Sequence, residues 1–455
     1  MTNISDLSLD VLLHILFFVP PRDIILGARQ VSHDLNHASM NISLWKTLLR
    51  RVCLENTLFP SAFPSGIILK DLEHAATSPS RFMSSLRASS EGGTPLKVYS
   101  RKYIDVDYLM NEEMPNFSEF VTAIYLVPGG RYLISEHETP DRTTSEIHFW
   151  DLEVPGDAKR IPQDRLPISS LNDRAFLVPH PAHLTRDGKG IMVFARKDII
   201  SEGLGECQRD IFIYEIFPTL EAPSFRQIAA QKITLAEDDG FVPACSFDYR
   251  RLATVIDNSR ICVWDFISNI EATWSASGFC MNDHFNVEAL DSWYSDLSQP
   301  IYLDSVCSTD EDIQTTRYSL DIFSMLDKHN ADSPSSYLSS KMFDFNPSPD
   351  NGYGEEYRIS EDQIISYWSS VRGLAVRGAP LDVPLDPHRS ESFQILTAVH
   401  RSPSIERYLA SLCPASGRAV SCEADRYLIE IVDFLPHPTA RAEPLAAYES
   451  ESESE

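Results

Sequence analysis

Few side chains in this sequence have the type and spacing that chemistry requires. His180 and His183 lie three residues apart, a separation that metal-binding histidines use on a helix. Pro181 stands between them and disfavours a helix, and no glutamate follows at the spacing of a zinc protease. We therefore expect a pair of surface histidines in a loop and no metal site.

The cysteines, glycines and carboxylates offer no catalytic motif either. Cys413 and Cys422 have no histidine nearby in sequence, so buried structural cysteines are expected. Gly203-Leu204-Gly205 lacks the third glycine of a nucleotide-binding loop, and no Lys-Ser/Thr pair follows at P-loop spacing. The acidic clusters are typical of solvated loops. The sequence therefore predicts no enzyme active site and no cofactor.

The charge of the chain disfavours two classes of partner. Its 455 residues contain 39 Lys and Arg against 66 Asp and Glu, which gives a formal charge of −27. Contact with a nucleic-acid backbone or an anionic membrane depends on clustered cations, so neither is expected. A protein partner that presents a basic segment fits this charge.

The cysteine usage and the apolar runs favour the cytoplasm or the nucleus. The 8 cysteines include no Cys-x-x-Cys pair, and a chain of this length needs no disulfide framework. The best candidate for a membrane span, Val11 to Val19, is nine residues long and therefore too short. Asp6 and Asp10 occupy the place of the basic residues of a signal peptide.

The first fifty residues predict short helices with sharp ends. Leucines 9, 12, 13 and 16 form one apolar helical face that Ser8 caps and Pro20-Pro21 ends. Asp23 is expected to cap a second helix, Ser32 a short turn around Leu35, and Ser43 a last helix.

Three apolar side chains, Ile15, Phe17 and Phe18, lie beyond the main stripe of the first helix. A module of about 50 residues buries too little surface to cover apolar groups on several sides. Either a partner protein or the following domain must cover them.

Residues 53–97 predict two further helices and a loose joint. Ser65 precedes a helix that carries Leu69 and Leu72, and Ser78-Pro79 has the form of a second helix start. The joint falls between Ala88 and Pro95, which are separated by serines and glycines.

Beyond residue 98 the sequence repeats an order of strand, tight turn, strand, longer loop and strand. Three such units end in acidic residues, Asp151, Glu215 and Asp265, which recur 64 and 50 residues apart. Later candidates lie at 319–323 and 428–434. Repetition with this period in strand-rich sequence is typical of propeller blades, and the length allows about seven at ~50 residues each. A pair of β-sandwiches is the alternative, and residues 327–356 are expected to be a mobile insertion.

The N-terminal residues resemble an F-box domain. The strings Leu7–Leu16, Pro20–Ile24, Val31-Ser32 and Leu44-Trp45 match its order and spacing across about 45 residues, with Ser8, Ser32 and Leu35 replacing the usual proline, cysteine and tryptophan. The next helix resembles that of many basidiomycete, and so fungal, F-box proteins. The F-box family binds the Skp-type adaptor of cullin–RING ubiquitin ligases. The resemblance implies adaptor contact at these positions: Leu7, Ser8, Leu12, Ile15, Leu16, Pro21, Ile24 and Val31.

The pairs Trp150-Asp151 and Trp264-Asp265 resemble degenerate WD repeats, in which the usual Gly-His pair is absent. The expected fold is therefore multidomain α+β. Its parts are an F-box at 1–52, a helical extension and linker at 53–97, a WD-like β-propeller at 98–447 and an acidic disordered tail at 448–455. The tail is either a solubilising segment or a site for an acidophilic kinase.

Together these features favour a substrate-receptor subunit of an Skp–cullin–F-box ubiquitin ligase, acting in ubiquitin-dependent protein degradation without catalytic groups of its own. A non-degradative F-box scaffold and a propeller-type hydrolase are the alternatives. Related receptors bind phosphorylated targets through arginines, and the turn arginines of this chain are Arg131, Arg186, Arg250 and Arg251. The −27 charge makes a basic target segment an equal expectation.

Overall fold

The protein is described here by a computed structural model. The described residues are 7–56, 58–63, 66–106, 120–138, 145–155, 166–172, 176–200, 206–236, 245–247, 250–256, 260–275, 284–288, 301–308, 313–320, 338–345, 355–360, 363–370, 373–380, 396–400, 408–423 and 428–436. Within these ranges, no helix is both long and apolar enough to cross a membrane. The predicted tail at 448–455 and the Gly203-Leu204-Gly205 segment lie outside them.

The N-terminal part is helical, as predicted. Its helices are α1 (Leu9–Phe17), α2 (Pro21–Asp23), α3 (Arg29–Val31), α4 (His33–Ser39), α5 (Ile42–Glu55) and α6 (Leu69–Gly92), with a π-helical segment at Ile24–Ala28 and a 3-10 turn at Pro60–Ala62.

The caps of α1 and α4 follow the sequence, with one difference. Ser8 stands at the N-cap position of α1, but among the described residues its side chain makes no capping hydrogen bond. Ser32 does cap α4, because its Oγ accepts a hydrogen bond from the Leu35 N–H at 3.2 Å. The α1 helix therefore starts without the side-chain support that α4 has.

Two predicted caps are wrong. Asp23 lies inside the helical run rather than before it, because Pro21 takes the first helical position, where its missing N–H costs nothing. Asn41, not Ser43, caps α5, and its Oδ1 accepts hydrogen bonds from the Ser43 N–H at 2.9 Å and the Ser43 Oγ at 2.7 Å.

Helix α6 runs through Pro79 without a break, so the predicted second helix start at Ser78-Pro79 is wrong. A proline inside a helix leaves a carbonyl of the preceding turn without its N–H donor. The hydroxyls of the two residues before the proline donate to other carbonyls of that turn: Thr77 Oγ1 to the Glu73 carbonyl at 2.8 Å, and Ser78 Oγ to the His74 carbonyl at 2.7 Å. The helix also buries Pro79 against its neighbours.

The predicted loose joint is structured. Residues up to Gly92 belong to α6, and Gly93 ends the helix in the left-handed conformation with φ of +59°. The Thr94 N–H then donates back to the Ser89 carbonyl at 3.1 Å, and Leu96 is buried. The passage from helix to sheet is therefore fixed.

The described residues from 100 onward form four-stranded antiparallel sheets. The first is β2 (Phe120–Leu126), β3 (Tyr132–Glu138), β4 (Ser145–Asp151) and β5 (Ser169–Asn172); the second is β6 (Phe176–Leu184), β7 (Ile191–Ile200), β8 (Glu206–Ile216) and β9 (Arg226–Ala236); the third is β10 (Cys245–Phe247), β11 (Arg251–Ile256), β12 (Arg260–Asp265) and β13 (Ile270–Ser275). The fourth is β14 (His284–Glu288), β15 (Ile301–Ser308), β16 (Ile313–Leu320) and β17 (Leu338–Phe345); the fifth is β18 (Glu355–Ser360), β19 (Gln363–Ser370), β20 (Gly373–Pro380) and β21 (Leu396–His400); the sixth is β22 (Tyr408–Cys413), β23 (Arg418–Glu423), β24 (Leu428–Asp433) and β1 (Ser100–Asp105).

Consecutive strands are neighbours in each sheet except the sixth, where the first strand of the chain pairs with the last. Strand β1 lies antiparallel to β24, with Ser100 opposite Asp433. Arg101 Nε lies 3.0 Å from Glu430 Oε1 across this pair, and Ser421 Oγ donates to Glu430 Oε2 at 3.1 Å. Strand β2 also contacts both β6 and β22, so the first sheet adjoins the second and the sixth.

The strands bear out the predicted order of strand, turn and strand in the first two units, and in the third unit residues 248–249 of the turn lie outside the described residues. Within the described residues they form six sheets, where the length suggests about seven units. The longest of the sheets of consecutive strands, β14–β17, extends from 284 to 345, and the number of blades stays a prediction. Part of the expected insertion at 327–356 is β17, and the rest apart from the first residues of β18 lies outside the described ranges.

Two clusters of buried hydrophobic side chains join the helices to the sheets. One cluster of buried side chains joins Leu12 and Trp45 of the helices to Val121 of the first sheet and Ile431 of the sixth. A second cluster packs Phe82 of α6 with strands of the fifth and sixth sheets. The N-terminal helices are therefore held on the sheets by buried apolar contact.

Candidate protein-docking surface

Arg29 links the N-terminal helices to one another and to α6. Its Nε donates to Ser39 Oγ at 2.8 Å, and its guanidinium pairs with Glu73 of α6. The guanidinium also lies 5.7 Å from the ring centroid of Trp45, whose Nε1 donates to the Ser39 carbonyl at 2.6 Å. These contacts fix α3, α4 and α5 against α6.

Two further arginines hold the end of α1 and the start of α2. Arg51 donates to the carbonyls of Phe17 and Val19, the latter at 3.2 Å, and its guanidinium lies 5.4 Å from the Phe17 ring centroid. Arg22 Nη1 donates to Ser84 Oγ of α6 at 2.9 Å. The corner between α1 and α2 is thus tied to α5 and α6.

These braced helices expose many large apolar side chains on the residues before α5. Phe18 is 67% exposed and Val31 is 68% exposed. The other members are Leu9, Val11, Ile15, Leu26 and Met40. A cluster of this size on a rigid element is typical of a protein-binding surface.

The structure separates the eight residues predicted to contact the adaptor into three groups. Ser8, Ile15 and Val31 are exposed, Leu7 and Pro21 are half-buried, and Leu12, Leu16 and Ile24 are buried. The exposed side chains are available to a partner directly. The buried ones pack in the shared core and hold the helices in place.

Helical spacing alone did not identify the exposed set. Leu9 was expected on the buried stripe with Leu12 and Leu16, yet it is 42% exposed. Phe18, flagged because it lies beyond the stripe, is exposed, and its ring meets that of Phe17 edge-on at 5.3 Å. Leu26 was missed, and it lies in the π-helical segment, whose wider turn changes which side chains face outward.

The turn arginines considered for phosphate binding are mostly engaged with carboxylates. Arg131 Nη2 lies 2.7 Å from Asp151 Oδ2, and Arg250 Nε lies 2.6 Å from Asp265 Oδ2. Arg251 is buried, and only Arg186 of the four is exposed without such an ion pair among the described residues. The acidic repeat ends Asp151 and Asp265 therefore have a structural role: they hold the arginine of the adjoining turn.

The first sheet contains a buried polar cluster. Trp150 Nε1 donates to Ser135 Oγ at 2.7 Å, and that hydroxyl lies 2.8 Å from His137 Nε2. The rings of His137 and His148 meet edge-on at 4.5 Å, and His148 Nδ1 lies 2.7 Å from Ser170 Oγ. Burial lowers the pKa of His148 to about 4. Burial also lowers the pKa of His137 well below its usual value, and the charge of His148 lowers it further.

One carboxylate beside this cluster is also buried. Burial raises the pKa of Glu136, although hydrogen bonds from Thr122 Oγ1 and the Leu177 N–H, each at 2.5 Å, favour its ionised form. At 4% exposure, Glu136 is enclosed by protein and is not offered to a substrate.

The histidine and cysteine expectations have different outcomes. His183 is not on the surface: it lies in β6, is buried, and its Nδ1 is 3.0 Å from the Leu184 carbonyl. Cys413 and Cys422 are buried, as expected, and burial raises the pKa of the Cys53 thiol to about 12. In the part of the chain that the structure describes, no group of three or more His, Cys, Asp or Glu is placed to hold a metal ion.

Residues 4–47 match the F-box domain family. No curated protein matches the chain in sequence. Solved structures that resemble it include the crystal structure of Saccharomyces cerevisiae Sqt1 (TM-score 0.37, 10% identity, 75% of this chain and 100% of that chain), the Dos1 propeller (0.34, 10%, 72% and 81%) and prolyl oligopeptidase B from Galerina marginata (0.31, 8%, 78% and 59%). The strand pairing described above, and not these similarities, defines the architecture.

Proposed function

We propose that this protein is a substrate-receptor subunit of an Skp–cullin–F-box ubiquitin ligase. The observation that carries the proposal is the exposed apolar surface on residues 4–47, the segment that matches the F-box family. Ile15, Val31 and Ser8 contact the adaptor directly, Leu7 and Pro21 border the contact, and the buried Leu12, Leu16 and Ile24 keep the surface in shape.

The sheets, in this proposal, form a WD-like propeller that binds the protein target. Six separate four-stranded sheets with consecutive strands adjacent are typical of propeller blades and not of a sandwich. Pairing of β1 with β24 and contact of β2 with β22 support a ring joined at the sixth sheet. The chain contributes binding and positioning, which raise the local concentration of the target lysine at the ligase, and no catalytic group.

The buried contacts between helices and sheets hold the two parts in a fixed relative position, which suits a receptor. A receptor works by holding its target at a fixed distance from the ubiquitin-conjugating enzyme, and a flexible joint would spread that distance over many values. Here Phe59 N–H donates to the Pro128 carbonyl at 2.9 Å, and Arg81 Nη2 donates to the Pro436 carbonyl at 3.3 Å. Both contacts tie the helical part directly to a sheet.

Co-expression of the full chain with a fungal Skp-type adaptor, followed by size-exclusion chromatography, tests the adaptor contact. The wild type is expected to co-elute with the adaptor, and the Ile15→Asp, Val31→Asp double variant is expected to lose it. The matched control is Leu220→Asp, Ile267→Asp, which places two charges at equally exposed positions on the sheets. Leu12→Asp is unsuitable because it would bury a charge in the core.

Failure of a folded wild type to co-elute would refute the adaptor contact. A separate measurement distinguishes a receptor from a scaffold: the abundance of proteins that bind the sheets, followed during inhibition of cullin–RING ligases. Substrates of a receptor accumulate, whereas partners of a scaffold keep their level.

A further inference from the structure

The second and third sheets present exposed aliphatic side chains at one common edge. Leu220, in the β8–β9 connection, is 59% exposed, and Ile267, in the β12–β13 connection, is 66% exposed. Neither side chain packs in a described core cluster, although both follow strands that do. They are therefore outward-facing features of the turns and not the ends of core stripes.

These two connections lie at the same edge because of how the sheets pack. Phe266, next to Ile267, has its ring centroid 6.3 Å from that of Phe194, near the start of β7. Antiparallel order places the start of β7 at the edge that also carries the β8–β9 connection. The two sheets are further joined by Gln231 Nε2, which donates to Glu271 Oε2 at 2.6 Å.

The two ion pairs at this edge are arranged with their cations outward. Arg226 is 73% exposed, while its partner Glu215 is 11% exposed. Arg250 is 41% exposed, while its partner Asp265 is 5% exposed and also accepts the backbone N–H groups of the β12–β13 turn. A molecule that approaches this edge therefore meets the guanidinium ends of the pairs, not their carboxylates.

The β6–β7 turn adds two cations to the same edge. Arg186 and Lys189 are exposed there, beside Asp187, whose Oδ1 is occupied by Thr185 Oγ1 at 2.6 Å and the Lys189 N–H at 3.1 Å. The resulting turn surface consists of Arg186, Lys189, Leu220, Arg226, Arg250 and Ile267, so four exposed cations stand there against the two exposed carboxylates of Asp187 and Glu221.

We propose that the turn surface is where the target protein docks, and that it takes an acidic segment carrying aliphatic side chains. This inference rests on the proposed receptor function and makes its target class specific. The formal charge of −27 opposes an acidic partner only at long range, since charges are screened beyond about 8 Å at physiological salt. At contact distance, the outward cations and the aliphatic side chains decide which segment binds.

A displayed library of random peptides, selected on the full-length chain, tests this assignment. Selected peptides are expected to be enriched in Asp and Glu together with Leu, Ile or Met. A synthetic peptide from the selection should bind in a fluorescence anisotropy titration, with lower affinity at higher salt. A basic consensus, or no consensus, would overturn the proposal.

Variants of the turn surface locate the binding. Leu220→Asp with Ile267→Asp, and separately Arg186→Glu with Lys189→Glu, are each expected to weaken peptide binding by about tenfold or more. Ile68→Asp, at an exposed position before α6, is the matched control and should bind as the wild type does. Equal affinity of all variants would place the peptide elsewhere and refute the assignment.

Measuring adaptor binding and peptide binding on the same variants distinguishes failure of the docking proposal from failure of the proposed function. Turn-surface variants that lose the peptide while still co-eluting with the adaptor are folded and support the assignment. A wild type that binds the acidic peptide but not the adaptor would refute the ligase function and leave the docking surface standing.

Discussion

Arg418 and Asp433 form a bidentate ion pair that is sealed inside the sixth sheet. Arg418 Nε lies 2.6 Å from Asp433 Oδ1, and Nη2 lies 3.0 Å from Oδ2, with the two side chains 0% and 2% exposed. Arg418 Nη1 also donates at 2.8 Å to the carbonyls of Gly130 and Glu153, which belong to turns of the first sheet. One guanidinium therefore connects the sixth sheet to the first.

Replacing Arg418 with methionine is expected to destabilise the fold strongly. The change removes the guanidinium from the buried Asp433 carboxylate and from two turn carbonyls, and breaking a buried pair in this way costs about 3 to 5 kcal/mol. Urea unfolding followed by tryptophan fluorescence measures the loss in the free energy of unfolding.

The control is the equivalent pair of the third sheet, where Arg250 is half exposed. Arg250→Met should cost less, about 1 kcal/mol, because the Asp265 carboxylate keeps its hydrogen bonds from the Ile267 and Ser268 N–H groups. Equal losses for the two variants would show that burial does not set the strength of these pairs.

Gly129 is expected to tolerate no side chain, because it sits where the helical part meets the first sheet. Its φ is +110°, and an added Cβ would lie 2.7 Å from Ala62 Cβ. Gly129→Ala should cost about 2 to 5 kcal/mol from backbone strain and overpacking, and should expose residues 57–68 to protease. Gly188→Ala is the control: its φ is +67°, but none of the described atoms lies within 4 Å, so only about 1 kcal/mol of strain is expected.

Stability should fall as the pH falls from 6.5 towards 4, because the buried imidazoles take up protons only when the protein unfolds. The pKa of His148 is about 4 in the folded protein and about 6.5 in the unfolded chain, so the expected loss is about 1.4 kcal/mol per pH unit from this group. His148→Gln should therefore flatten the dependence of the urea midpoint on pH. Ser170→Ala removes the partner of His148 but keeps the imidazole, so the dependence should persist. Parallel profiles for His148→Gln and the wild type would contradict this account.

Two N-cap serines should differ in their contribution to stability. Ser32→Ala removes the hydrogen bond to the Leu35 N–H and should cost about 1 kcal/mol. Ser8→Ala removes no capping bond within the described residues and should leave the free energy of unfolding almost unchanged. Circular dichroism during urea unfolding measures both, and a larger loss for Ser8→Ala would contradict the cap assignment.

The sequence predicted the strands well because their signals are local. Alternating apolar residues followed by Pro128-Gly129-Gly130 or Asp187-Gly188 determine where a strand ends and a turn begins, and both turns carry glycines with positive φ. The same holds for α1, whose apolar spacing and following prolines define its length.

The partners of the turn arginines were not predictable from local patterns. Arg131 pairs with Asp151 across 20 residues and Arg418 with Asp433 across 15, and both contacts depend on strand register. Exposure on the N-terminal helices escaped prediction for a similar reason. Whether Leu9 or Leu12 faces the core depends on where α4 and α5 pack against α1, and helical spacing does not contain that information.

The pairing of β1 with β24 has a consequence for synthesis on the ribosome. Ser100 pairs with Asp433, which the ribosome adds roughly half a minute after Ser100 at about 10 residues per second. During that time the core that supports the N-terminal helices lacks Val420, Ile429 and Ile431. A prematurely terminated chain therefore lacks part of the core against which the N-terminal helices pack, and under the proposed function truncated products should bind the adaptor poorly. The strands made last therefore complete the core that the helices made first require.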